Sequence, residues 1–184
     1  SRAMRHPDVE IPFFNDAAFG IAPKPGEVDE YAEHLGTGCS QGGQDTVVHM
    51  EQSGYVRLER GPAVLLADAG PVGPDYLPGH AHADTLCFEL SLQGQRVCVN
   101  SGTSTYEPGS LRKFQRSTRA HNTTAVDGAE SSEVWGAFRV ARRARTVVET
   151  LRTGGDEDLL VAFHDGYCRL PGRPVHRRTW RLDS

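Results

Sequence analysis

Between Thr85 and Leu92 the chain alternates without a break: Leu86, Phe88, Leu90 and Leu92 fall at one parity, Thr85, Cys87, Glu89 and Ser91 at the other. Side chains of a strand point to opposite faces with period two, so the stretch predicts a β-strand with one apolar face. Gln93-Gly94 follows as a two-residue hairpin turn, and Gln95 to Val99 returns with Val97 and Val99 on its apolar face.

Other segments repeat this character. Ser53 to Leu58 and Ala63 to Asp68 read as two strands around the turn Arg60-Gly61-Pro62. Further strands are expected at Asn122 to Val126, Ala137 to Ala144, Thr146 to Thr150, Leu159 to His164 and His176 to Leu182, with turns at Asp127-Gly128 and Gly154-Gly155. Short strands at this spacing predict an all-β chain, an antiparallel β-sandwich of stacked sheets. Residues 1 to 45 differ. They are rich in Pro, Gly and Asp, and read as an irregular arm or linker holding one short helix, Glu27 to Leu35. The sandwich domain is then 46–184. Ser1-Arg2-Ala3-Met4 reads as a cut end or cloning remnant.

The 184 residues are enough for one substantial core. A net charge of −4, with both signs interspersed, gives no global positive field for nucleic acid. The basic run Arg139 to Arg145 is explained by a solvated strand face. No apolar stretch approaches the length of a membrane span. Cys39, Cys87, Cys98 and Cys168 lack CxxC spacing, which argues against a structural zinc knuckle. A Cys87–Cys98 disulfide is geometrically conceivable across neighbouring strands, but free thiols are the commoner case.

The polar residues that stand out are His80, His82 and Asp84, at alternate positions after a Pro/Gly loop and before the apolar strand. If extended backbone begins at His80, all three project to one side. Polar groups in line with an apolar face are costly to bury without partners. They should therefore bond one another, a metal or a ligand. Downstream, Arg119, His121 and Asn122 form a second polar cluster, in which His121 could add a ligand from a neighbouring strand. For Arg119 the plain alternative is a surface charge or a partner of Glu107.

In order along the chain, Pro78-Gly79-His80-Ala81-His82-Ala83-Asp84, Val99 to Tyr106, Ser117 to Thr123, Val126-Asp127-Gly128 and Glu133 to Gly136 resemble the heparinase II/III-like family of polysaccharide lyases. His164 to Tyr167, His176-Arg177-Arg178 and the early His6 to Asp16 continue the likeness. The resemblance implies a β-sandwich that follows an α/α-toroid, absent from this chain, with acidic, uronic-acid-containing glycans cleaved by β-elimination where the two parts meet. It also implies a periplasmic or secreted protein. The acidic polysaccharide and the helical domain are the implied partners.

By the same resemblance His80 faces the substrate as base, acid or charge neutraliser, and His82 ligates a structural zinc with His121 and an acidic residue. Asn100 stands where relatives carry that acid. Asn is a neutral and weaker ligand, so His82, Asn100 and His121 read either as a zinc site or as a hydrogen-bonded cluster. Tyr106 is a candidate acid or sugar contact, Trp135 a candidate stacking surface, and Arg119 and Asn122 are candidates for oxygen-rich ligands. Two other readings stand beside this one. A non-catalytic glycan-binding or structural sandwich needs only Trp135 or Arg119. A cupin-like metal enzyme would use His82, Glu89 and His121, although the spacing from His82 to Glu89 is long for it.

Overall fold

The computed structural model describes residues 2–37 and 47–183; Cys39 lies outside the described residues. Five strands form one antiparallel sheet in the order β1-β2-β3-β4-β5: β1 (Val47–Met50), β2 (Tyr55–Arg60), β3 (Ala63–Asp68), β4 (Phe88–Leu92) and β5 (Gln95–Cys98). A hairpin of β6 (Val134–Trp135) and β7 (Arg139–Val140) follows. A second sheet, ordered β10-β9-β8, is built from β8 (Thr146–Arg152), β9 (Glu157–His164) and β10 (His176–Asp183). The short helices are α1 (Pro25–His34) and α2 (Ser110–Gln115).

The two larger sheets share one core, which is the stacked antiparallel sandwich the pattern predicts. Val56, Leu58, Leu65 and Ala67 from the first sheet meet Leu160, Ala162 and Trp180 from the second, with Leu86 between. β3 reads Ala-Val-Leu-Leu-Ala rather than alternating, because both of its faces are covered. Its second face lies under the N-terminal arm, where Phe14 packs with Val64, Leu66 and Cys87. The arm is pinned along its length. Arg57 donates to the carbonyls of Ala3 and Arg5, and Arg96 to Asp8 and the Ile11 carbonyl. Inside, His6 donates from Nε2 to Glu89 at 2.8 Å and accepts from Ser91 at Nδ1.

That arrangement corrects several expectations. The strand expected from Thr85 begins only at Phe88, because Leu86 takes φ 59°, a left-handed conformation no strand tolerates. At the other parity, Glu89 and Ser91 are fully buried beneath the arm. The turn at Gln93-Gly94 forms with both φ positive, as a two-residue hairpin of this hand requires. On the edge strand β5 and just past its end, however, Val97 is 58% exposed and Val99 45%. Their parity faces outward, and a register shift opposite Leu90/Ser91 turns Asn100 inward, where it is 3% exposed.

Asn122 to Val126 forms no strand, only an isolated bridge from Val126 to Ala129. Ala137 to Ala144 is strand only at Arg139–Val140, so the arginines of that run do not share one strand face. Arg142, Arg143 and Arg145 instead line a cleft of about 1030 Å³, with Arg143 paired to Asp75. Cys87, Cys98 and Cys168 are free thiols.

Candidate active site

Asp16 is the centre of the site. It sits in the arm, and its carboxylate accepts from His80 Nδ1 at 2.8 Å, His82 Nε2 at 2.7 Å, Thr103 Oγ1 at 3.1 Å and both terminal nitrogens of Arg112. Burial alone would raise this carboxyl. The hydrogen bonds from His82, Arg112 and His80 outweigh it and hold Asp16 well below the usual carboxylate range. The sequence reading missed Asp16 as a site residue. The signal was there in the pair Asn15-Asp16 directly behind Phe13-Phe14, where aromatic anchors fix the depth of the polar residues that follow.

Asn15 makes the second link. At φ 52° it donates its backbone N–H to Asp84, accepts from the His82 N–H and donates its side-chain amide to Tyr55. Two arginines complete the frame. Arg112, fully buried on α2, donates from Nε to the Ala137 carbonyl, and Arg116 donates to the carbonyls of Ala81, Trp135 and Gly136.

His80, His82 and Asp84 do not project to one side. Pro78–His80 is a 3-10 turn, not extended chain, because proline presets the turn conformation. The His80 side chain is 63% exposed, whereas that of His82 is fully buried. His80 and His82 reach the two oxygens of Asp16 from different directions. With Nδ1 donating to Asp16, neutral His80 carries its lone pair on Nε2, which has no partner among the described residues. The ring stands edge-on to Tyr106 and Phe138, at 5.8 and 5.9 Å between centroids. It lies on the rim of a cavity of about 400 Å³ lined also by Asn15, Gln52, Tyr55 and Leu77. A smaller hollow beside Tyr106 is lined by Asp16, Ile21 and Thr103 to Thr105.

Behind His80 the buried pair His82–His121 has an unusual hydrogen-bond economy. His82 Nε2 carries a proton toward Asp16, and His121 Nδ1 donates to the Ser117 carbonyl at 2.8 Å. The remaining nitrogens, His82 Nδ1 and His121 Nε2, face each other at 3.1 Å. In the neutral rings both are lone pairs. Such a contact is repulsive unless a proton or a cation lies between. Donation from the far nitrogen to a carboxylate or carbonyl is the arrangement that orients metal-bound imidazoles. Asp84 places a carboxylate oxygen in the same group, with all ligand atoms within 4.8 Å of one another. The donor set of two imidazoles and a carboxylate therefore fits zinc. Burial lowers the pKa of His121, an effect that the nearby Asp84 charge opposes and His82 reinforces.

The other candidates are placed as follows. The amide of Asn100 is engaged, accepting from the Asn122 N–H at 2.9 Å and pointing its NH₂ at Cys87 Sγ. Asn122 donates its side chain to the Phe88 carbonyl. Arg119 is exposed, and no ion pair joins it to Glu107 among the described residues. Trp135 is half-exposed with Arg139 stacked over it at 4.7 Å. Tyr106 is 42% exposed and lies 5.1 Å from the Arg112 guanidinium. Glu89, which the cupin-like reading needs as a ligand, is occupied by His6 and by the N–H groups of Phe13 and Asn100.

Residues 43–184 match the family described as heparinase II/III-like, C-terminal. Among solved structures, the heparan sulfate lyase HepC from Pedobacter heparinus is 18% identical with a TM-score of 0.72, the match covering 98% of this chain and 29% of that one. A structure of heparinase III is 19% identical with a TM-score of 0.70, covering 97% and 30%. The chain thus spans less than a third of the length of these proteins. At such identities the likeness is one of fold. No curated protein matches the chain.

Proposed function

Since the chain belongs to the heparinase II/III-like, C-terminal family, we propose that it is the β-sandwich part of a polysaccharide lyase and contributes His80 to the cleavage of a uronic-acid-containing glycan. The observation that carries this reading is the Asp16–His80 pair. A buried carboxylate holds Nδ1 of a histidine whose side chain is largely exposed and lines a cavity.

The chemistry asks for such a group. The C5 proton of a uronate is weakly acidic until hydrogen bonds or cations neutralise the adjacent carboxylate. A base then removes it, and an acid protonates the departing glycosidic oxygen. Asp16 fixes the His80 tautomer so that Nε2 is the atom that takes or returns a proton. Tyr106 and Phe138 flank the ring and present apolar edges to a sugar. Arg119 is an exposed cation available to an acidic chain. The further groups that β-elimination needs come, in this reading, from a helical domain outside the 184 residues. His82, Asp84 and His121 would hold a zinc ion, and that ion would cross-link the loop after His80 to the turn at Thr118–Ala120.

The test is the replacement His80→Ala in the full-length protein, followed by the absorbance of the unsaturated uronate product. Unchanged turnover would reduce the sandwich to a scaffold.

A further inference from the structure

We infer that Asp84, and not the residue at position 100, is the carboxylate ligand of a zinc site completed by His82 and His121. Three independent features of the site meet in this assignment. The first is the pair of converging lone pairs, His82 Nδ1 and His121 Nε2, 3.1 Å apart. Two nitrogens each about 2.1 Å from one ion can stand at that separation. Both tautomers are imposed from outside the pair, by Asp16 on one ring and the Ser117 carbonyl on the other. Neither ring can turn its N–H inward without abandoning an oxygen acceptor.

The second feature is the state of Asn100. Its Oδ1 is already taken by the Asn122 N–H, and its amide nitrogen points to Cys87. Rotating it toward the histidines would leave the Asn122 N–H without its acceptor. The third is Asp84 itself. It is 2% exposed, and one oxygen, Oδ2, accepts from Asn15 at 3.1 Å. A carboxylate held through one oxygen keeps the other for a ligand role. Asp68 and Cys87 also lie close to Asp84 and are buried. An anion facing two lone pairs in a dry interior calls for a cation.

The assignment concerns metal binding alone and does not depend on His80 having a role in turnover. The experiment is zinc titration of the purified apoprotein, with cobalt(II) as a spectroscopic probe, on the parent protein and on Asp84→Asn, Asn100→Ala and His121→Ala. One zinc per chain is expected for the parent. Asp84→Asn and His121→Ala should bind on the order of 100-fold more weakly, while Asn100→Ala keeps the cobalt bands of the parent. X-ray absorption of the zinc-loaded parent, which needs no variant to fold, should count two imidazoles with oxygen donors. Parent-like zinc affinity in a folded Asp84→Asn protein overturns the assignment, as does loss of zinc on Asn100→Ala alone. A parent protein that binds no zinc, with one proton shared between His82 and His121 by nitrogen NMR, overturns it as well.

Discussion

The carboxylate of Asp16 accepts a hydrogen bond of 2.8 Å from Nδ1 of His80, a residue 64 positions further along the chain. The pair joins the N-terminal arm to the exposed end of the sandwich. The other oxygen of the same carboxylate receives buried His82, so the exposed ring is held by a group that is itself anchored in the interior.

If His80 acts as proposed, His80→Gln in the full-length protein should lower kcat by about 10² to 10⁴, the usual worth of a positioned proton-transfer group. Its side chain is largely exposed, so the melting temperature should stay close to that of the parent. Product absorbance at saturating glycan separates this from a loss of binding. A fall in stability to match the fall in rate would mean that the ring serves the fold.

Asp16→Asn should behave in the opposite way, acting on stability first. It leaves the Arg112 guanidinium buried with no opposing charge and turns an acceptor of several donors into a group that must itself donate. Removing one partner of a buried charge pair costs about 3–5 kcal/mol. Urea unfolding should register a loss of that size, and turnover should fall with it as His80 loses its anchor.

Tyr106→Phe keeps the ring that stands edge-on to His80 and beside Arg112. If the ring is what matters, kcat should change by less than about 3-fold, whereas Tyr106→Ala should raise KM. An effect of 10²-fold from removing the hydroxyl alone would instead make Tyr106 a proton donor.

The pair His164–His176 sets an acid limit on stability. Burial, reinforced by His176, holds His164 down to about 4, and burial with Arg178 does the same for His176. Both rings stay neutral in the folded protein where unfolded histidines, near 6.5, take up protons. The unfolded state then binds more protons, so this contribution is complete above 6.5 and is lost as pH falls toward 4. For buried His164 the loss is roughly 3 kcal/mol; His176 is partly exposed and contributes less. Asp68, raised by burial, acts with the opposite sign, so the comparison must isolate the pair. The urea midpoint measured from pH 7.5 to 4.5 should fall less steeply in His164→Asn than in the parent. Superimposable slopes would remove the pair from the account.

The sandwich was legible because its strands obey local rules. Ala63–Asp68 is found as expected, bounded by a turn whose residues demand it. Local periodicity failed where one backbone angle overrode it, at Leu86, and where a short proline turn replaced extended chain before His80. The histidines could be recognised by spacing and resemblance. Their organising carboxylate could not, because Asp16 reaches them only through the packing of Phe14 on Val64 and Leu66. The aromatic pair Phe13-Phe14 marks the residues behind it as held at depth, but the local sequence does not name the partners they meet. The same holds for Asn100, whose inward turn depends on a register shift between two strands.

The arm has a consequence for how this protein can be cut and recombined. The match to the family model begins at residue 43, yet the group that aims His80 comes from position 16, on a strap that also shields Glu89 and Ser91 from water. A graft of residues 43–184 onto another protein would transplant the histidines without their orientation, along with an uncovered sheet face that invites aggregation. The transferable module is therefore the sandwich together with its strap.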